Sequence, residues 1–124
     1  MMNFLYKEDF LFKKKKTFHE RVVESVNIRS KYPDRIPVIC ERQGINIPPA
    51  DRSKYLVPMD LTMGQFLYVI RKRLSLDPSL GLFLFIGNDG LLMNNAKLIS
   101  ECYNEHKDKD GFLYLKYSGE NTFG

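Results

Sequence analysis

Residues 62–74 carry the periodicity that most limits the architecture. Phe66, Val69, Ile70 and Leu74 fall at i, i+3, i+4 and i+8, Arg71, Lys72 and Arg73 take the other faces, and Thr62 is placed to cap the first turn. An apolar stripe of this kind needs a flat surface to cover it, and the segments on either side read as strands. Residues 35–41 are β-branched, with Pro37 marking a stretch of edge that lacks a donor. Residues 54–58 are a second short strand closed by Pro58, after a loop over 43–53 that contains Gly44, Pro48 and Pro49. These two make a hairpin-like pair with an exposed edge.

Beyond the helix, residues 82–86 form a third strand, closed by the turn signal Gly87-Asn88-Asp89-Gly90. Residues 96–106 place Leu98, Ile99, Cys102 and Tyr103 on one stripe of a short helix, and residues 112–117 are the last strand. Ahead of all this, residues 10–32 are helical in two pieces. The first is Phe10-Leu11-Phe12 with the lysine tetrad at 13–16, read as a solvated face. The second repeats apolar positions at Phe18, Val22, Ser25, Val26 and Ile28 until Pro33 ends it. The order helix, helix, β, β, α, β, α, β, tail predicts an α+β fold: a four-stranded mixed sheet in the β-grasp arrangement with additional N-terminal helices.

With 124 residues, 44% of them hydrophobic, the chain suffices for one domain and a sizeable core. Its richest apolar run, at 82–86, falls far short of the roughly 18 residues a spanning helix needs. The first nine residues do not have the pattern of a secretory signal. Cys40 and Cys102 sit in apolar settings without ligand spacing, as small buried hydrophobes do, so no metal site is expected. The net charge of +4 raises nucleic acid as a partner, but no phosphate loop or stacking array accompanies the lysines. His19 and His106 have no nucleophile beside them, and neither cysteine sits beside a base, so no enzyme and no catalytic residue is expected.

The last residue, Gly124, has no Cβ and an unrestricted φ, which suits a terminus that must thread a narrow catalytic channel before being joined to something else. At this point the motifs converge. Lys31-Tyr32-Pro33-Asp34-Arg35-Ile36-Pro37-Val38-Ile39-Cys40-Glu41, Lys54-Tyr55-Leu56-Val57-Pro58, Asp60-Leu61-Thr62-Met63-Gly64-Gln65-Phe66, Ile70-Arg71-Lys72-Arg73, Asp110-Gly111-Phe112-Leu113-Tyr114 and Phe123-Gly124 together resemble the autophagy ubiquitin-like modifiers, the GABARAP family, over residues 10–124.

The resemblance implies a ubiquitin-like modifier rather than an enzyme, with no cofactor other than phosphatidylethanolamine bonded covalently at Gly124. Ubiquitin-like activating and conjugating enzymes would make the bond, and a cysteine protease would trim precursors and delipidate. The protein would be cytoplasmic, and on the autophagosome membrane when lipidated. Four lysines near an anionic surface add only about 1 kcal/mol each, whereas acyl chains add about 0.8 kcal/mol per buried methylene, so conjugation rather than charge would decide localisation. The competing reading keeps the fold and drops conjugation, leaving a membrane or cytoskeleton tethering adaptor that uses the same pockets.

It also implies docking of receptors and adaptors that carry an aromatic-x-x-aliphatic motif, added as a strand along residues 54–58. The aromatic pocket carried over is Glu24, Ile28, Pro37, Ile39, Lys54, Leu56 and Phe112. The aliphatic pocket is Tyr55, Val57, Pro58, Leu61, Phe66 and Val69, and Arg35, Arg52 and Arg73 form a charged rim. An aromatic worth about 4–6 kcal/mol and an aliphatic worth about 1.5–3, less the ordering of the peptide, leave about −8 kcal/mol, a micromolar affinity. The chain then divides into an extension at 1–9, an N-terminal helical subdomain at 10–32 packed on the core, a ubiquitin-like core at 33–117 and a flexible conjugation tail at 118–124. The segments 43–53 and 87–93 depart from the common versions of the family.

Overall fold

Eight residues, Arg35–Arg42, form β1, and both of its faces are covered. It pairs antiparallel with β2 (Lys54–Pro58) on one side and parallel with β5 (Leu113–Ser118) on the other. Beyond β5 lie β3 (Phe83–Ile86) and β4 (Leu91–Leu92), giving the order β2-β1-β5-β3-β4. The computed structural model describes residues 9–87 and 90–120. Its mixed sheet with a crossover helix is the expected β-grasp arrangement, but it has five strands where the sequence suggested four. The additional strand, β4, is two exposed leucines pairing with Ile86 and Phe85, too short to show any alternation.

Period two divides the side chains between two clusters. Ile36, Val38 and Cys40 of β1, Tyr55 and Val57 of β2, and Leu113, Leu115 and Tyr117 of β5 join the main core. That core is closed by Met63, Phe66, Ile70 and Leu74 of α3 (Met63–Leu74) and by Ile99, Cys102 and Tyr103 of α4 (Ile99–His106). Thr62 caps α3 as expected: its hydroxyl accepts from the Gln65 amide, and the Gln65 side chain accepts from the Thr62 amide. Both cysteines are buried.

On the opposite face Ile39, Phe112 and Tyr114 meet Phe10 and Phe12, the latter from α1 (Leu11–Lys15), with Ile28 of α2 (Phe18–Lys31) packed against them. The rings meet edge to face, with centroids 4.9 Å apart for Phe10–Tyr114 and 5.0 Å for Phe12–Phe112. α1 is anchored by Glu41 of β1, whose carboxylate accepts from the Leu11 amide at 2.8 Å and the Phe12 amide at 3.0 Å. The lysine tetrad is therefore not merely a solvated face. Lys13 pairs with Asp108, 95 residues away, because α1 lies against the sheet, and Lys16 pairs with Glu24 across the turn into α2.

α2 also turns a partly different stripe inward. Phe18 and Val26 are exposed, while Arg21 and Ser25 are buried. The Arg21 Nε–H donates to Asp110 Oδ2 at 2.8 Å, the Phe112 amide and the Tyr114 hydroxyl donate to the same carboxylate, and the Ser25 hydroxyl donates to the Asp110 carbonyl. Burial pushes the Tyr114 phenol up, and its bond to Asp110 adds to this. Gly111 follows at φ +93°, where a Cβ would lie 2.3 Å from the Ser25 oxygen. Ser118, placed by the sequence at the start of the tail, is a buried residue of β5 opposite Phe83. No helix among the described residues is long and apolar enough to cross a membrane.

Because the Asp110 side chain is fully enclosed, removing its cation leaves an uncompensated buried charge. Arg21→Met should lower stability by about 3–5 kcal/mol in urea denaturation, well beyond the loss expected for an exposed ion pair such as Lys97–Glu105.

Candidate functional site

β2 is one edge of the sheet, opposite the two-residue β4, and among the described residues it pairs with β1 alone. The Cys40 amide donates to the Ser53 carbonyl and the Met59 amide to the Asp34 carbonyl, so the pairs that exchange ladder bonds are those at the odd positions of β2. The backbone groups of Lys54 and Leu56 accordingly point away from β1. The Leu56 carbonyl accepts from the exposed Arg35 guanidinium at 3.2 Å. Pro37 stands opposite Leu56 in a pair that exchanges no such bonds, so its missing N–H costs this ladder nothing.

Side chains from the edge divide between the two faces of the sheet. Lys54 and Leu56 lie on the face of α2, with Pro37 and Ile39 of β1 and Phe112 ahead of β5. Glu24 and Ile28 overhang them from α2. Ile39 and Phe112 are wholly buried, Pro37 is buried, and Ile28, Leu56 and Lys54 are partly covered. On the other face, Tyr55, Val57 and Phe66 belong to the main core, with the Tyr55 and Phe66 rings 5.4 Å apart and nearly perpendicular. Leu61 packs partly buried against that core, while Pro58 and Val69 are exposed. Arg52 is exposed, and Arg73 pairs with Asp51 at 3.2 Å.

Glu24 connects three elements. One carboxylate oxygen accepts from Lys16 Nζ at 2.8 Å and the other from Lys54 Nζ, tying the α1–α2 junction and β2 to α2. Partial burial opposes the Glu24 charge, but the bonds from Lys16 and Lys54 outweigh it and hold the carboxyl below its ordinary range. Its bond to Glu24 likewise raises the Lys16 amine. In the sequence Lys16 belongs to the solvated lysine tetrad and to neither pocket. Eight positions separate it from Glu24, but the two do not share a helix, and the turn of the chain between α1 and α2 is what brings them together. The Lys16 and Lys54 amines also approach the Phe12 ring, at 5.7 and 5.5 Å from its centroid.

Two clefts border this region. One, of about 610 Å³, runs along α2 past Val23, Asn27 and Tyr32 and shares Glu24 and Ile28 with the expected aromatic set. The other, of about 570 Å³, lies beside α1 between Lys15, Glu41, Arg42 and the loop at 49–53, and shares Arg52 and Lys54 with the expected residues.

A family model described as "Autophagy protein Atg8 ubiquitin like" matches residues 20–124. Autophagy-related protein 8 of Schizosaccharomyces pombe is 57% identical over 120 residues, 96% of this chain and 93% of that protein. Autophagy-related protein 8d of Arabidopsis thaliana is 54% identical over 114 residues, 91% of this chain and 93% of that one. A crystal structure of Trypanosoma brucei ATG8 superposes with a TM-score of 0.85 at 42% identity, covering 94% of this chain and all of the other.

Core and surface positions within the aliphatic set should separate in denaturation. Phe66→Ala should cost about 3–5 kcal/mol, whereas Val69→Ala should stay within about 0.5 kcal/mol. Glu24→Gln should show a pH signature. A carboxyl held below its ordinary 4.5 stabilises the fold above that pH and loses the contribution as pH falls through its lowered value. The stability gap between the native chain and Glu24→Gln, under about 1 kcal/mol per partly exposed pair, should be full at neutral pH and close as the pH falls below 4.5 in urea titrations.

Proposed function

The chain belongs to the Atg8 ubiquitin-like family, and from that membership we propose that it is joined through the Gly124 carboxyl to the amine of phosphatidylethanolamine on autophagosomal membranes, where it recruits receptors and adaptors carrying aromatic-x-x-aliphatic motifs. As an Atg8-type ubiquitin-like protein of autophagy it is a modifier, and the bond-making chemistry resides in its activating and conjugating enzymes, with a cysteine protease for delipidation. Gly124 itself lies outside the described residues.

The observation that supports recruitment is the open edge of β2. Outward amides and carbonyls at Lys54 and Leu56 suit an extended segment running beside them, which would satisfy groups otherwise held by water. Alternate side chains of that segment would then fall on opposite faces. The aromatic would lie against Leu56, Ile28 and the Lys54–Glu24 pair, and the aliphatic against Leu61, Pro58 and Val69. Arg35, Arg52 and Arg73 would meet acidic residues flanking the motif. Tyr55, Val57 and Phe66, buried as they stand, would form the floor of the aliphatic site rather than its walls.

Reconstitution with the conjugating enzymes and vesicles containing phosphatidylethanolamine tests the first half. Gly124→Ala should lose the faster-migrating lipidated species while peptide binding survives, and a variant that still becomes lipidated would overturn the assignment of Gly124. For the second half, calorimetry with an aromatic-x-x-aliphatic peptide should give a micromolar Kd, and Ile28→Ala with Leu56→Ala should weaken it about tenfold, or roughly 1.4 kcal/mol.

A further inference from the structure

If Gly124 is the point of attachment, the length of the chain restricts which surface faces the lipid. Glu120 is the last described residue, and four steps separate it from Gly124. An extended chain advances about 3.3–3.6 Å per residue, so Glu120 lies within about 14 Å of the anchoring headgroup however those residues run. Whatever surrounds Glu120 is therefore brought to the bilayer.

Three segments converge there. β1 and β5 run parallel and reach this end of the sheet together at Arg42 and Tyr117, and β3 begins beside them with Phe83 opposite Ser118. The Asn46 side-chain amide donates to Glu120 Oε2 at 2.9 Å, and the Ile47 side chain and the Gly81 carbonyl each come within 3.9 Å of where a Cβ on Gly119 would stand. The loops carrying Asn46 and Gly81 each present an apolar side chain that is exposed among the described residues. Ile45 is 84% exposed, the most exposed of the large hydrophobic residues among those described, and Leu80 is 54% exposed.

Both tips are held in place rather than loosely displayed. Gly44 takes φ +74° just before Ile45, a turn closed to most side chains. The Arg42 guanidinium donates to the Ile47 carbonyl at 3.0 Å, and Arg71 donates to the Leu80 carbonyl at 2.9 Å and the Asp77 carbonyl at 3.3 Å. The two loops carry Asp51, Arg52 and Asp77, with Arg42 and Arg71 at their bases and Glu120 beside them, so cations and carboxylates balance and long-range attraction to anionic lipid does not drive the contact. Two apolar tips with guanidiniums behind them match the boundary of a bilayer, where the tips enter the acyl edge and the guanidiniums remain at phosphate level. We infer that Ile45 and Leu80, with the loops that carry them, are a membrane-contact surface that seats in the bilayer once the chain is anchored through Gly124.

The chain contains no tryptophan, so a single introduced one reports its surroundings alone. Gly124→Cys allows coupling to a maleimide-bearing phosphatidylethanolamine in phosphatidylcholine vesicles, since Cys40 and Cys102 are buried. This chemical anchor bypasses the enzymes, so the result is separate from whether they act on Gly124. With the anchor in place, Ile45→Trp should shift its emission to the blue and lose intensity when brominated phosphatidylcholine is included, and raising salt should not reverse this. Tyr32→Trp, at the far end of β1 about 23 Å away by strand rise, should do neither.

Because tryptophan itself favours interfaces, hydrogen exchange on the Ile45 chain provides the second measurement. The amides at 44–47 should exchange more slowly when anchored than when free, and Ile45→Ser with Leu80→Ser should abolish the difference. Water-like emission at position 45, equal quenching at 45 and 32, or protection that survives the double serine change would each overturn the proposal. So would a contact with the conjugating enzymes that protects these amides when the vesicles do not.

Discussion

The parallel pairing of β1 with β5 is the constraint on which the other elements depend. It places β1 inside the sheet with both faces covered, so its alternating side chains must serve two clusters at once: Ile36, Val38 and Cys40 for one, Ile39 for the other. A strand buried on both faces cannot slip by one residue without exchanging its two clusters. With register set, β2 is left as an edge, α3 and α4 cover one face, and α1 and α2 cover the other. The same pairing brings the ends of β1 and β5 together, which is why the loop at 43–49 lies beside the base of the tail.

The face of α2 is held by polar contacts as much as by apolar ones. Asp110 gathers Arg21, Tyr114 and the Phe112 amide, and Glu41 receives the first amides of α1. Such groups are costly to bury unless every partner is in place, so they position the helices narrowly. The candidate docking edge benefits. Leu56 and Lys54 can form a consistent surface with Ile28 and Glu24 only if α2 keeps its place over β1 and β2, and the Lys16–Glu24–Lys54 bridge is the part of that attachment nearest the edge.

Much of this was legible in the chain, and what was not has identifiable causes. α3 declared itself by period, cap and basic faces, β1 by its β-branched residues, and β2 and β5 by short apolar and aromatic runs, the first closed by Pro58. β4 was invisible because two leucines after a glycine turn carry no alternation, and their pairing depends on where β3 lies. The stripe of α2 holds at Ser25 but departs from the periodicity at Phe18 and Val26, which are exposed, because a buried Asp110 draws Arg21 inward, which apolar periodicity cannot foresee. The lysine tetrad read as solvated because Asp108 lies 95 residues from Lys13. Among the docking residues, the alternation of Tyr55, Leu56 and Val57 between faces follows from period two and the burial of Phe66 from its place on the α3 stripe, whereas the burial of Tyr55 and Val57 as core and the exposure of Val69 do not follow from the sequence.

By itself the sequence determined the element types, their order and the motifs that mark the family, because periodicity, capping and turn chemistry act over a few residues and are written locally. The tertiary structure alone decided which carboxylate meets which cation, that β4 forms and which hydrophobic residues remain in water at the base of the tail. Those outcomes depend on contacts between segments tens of residues apart, whose distances become defined only when the β1–β5 pairing closes the chain on itself.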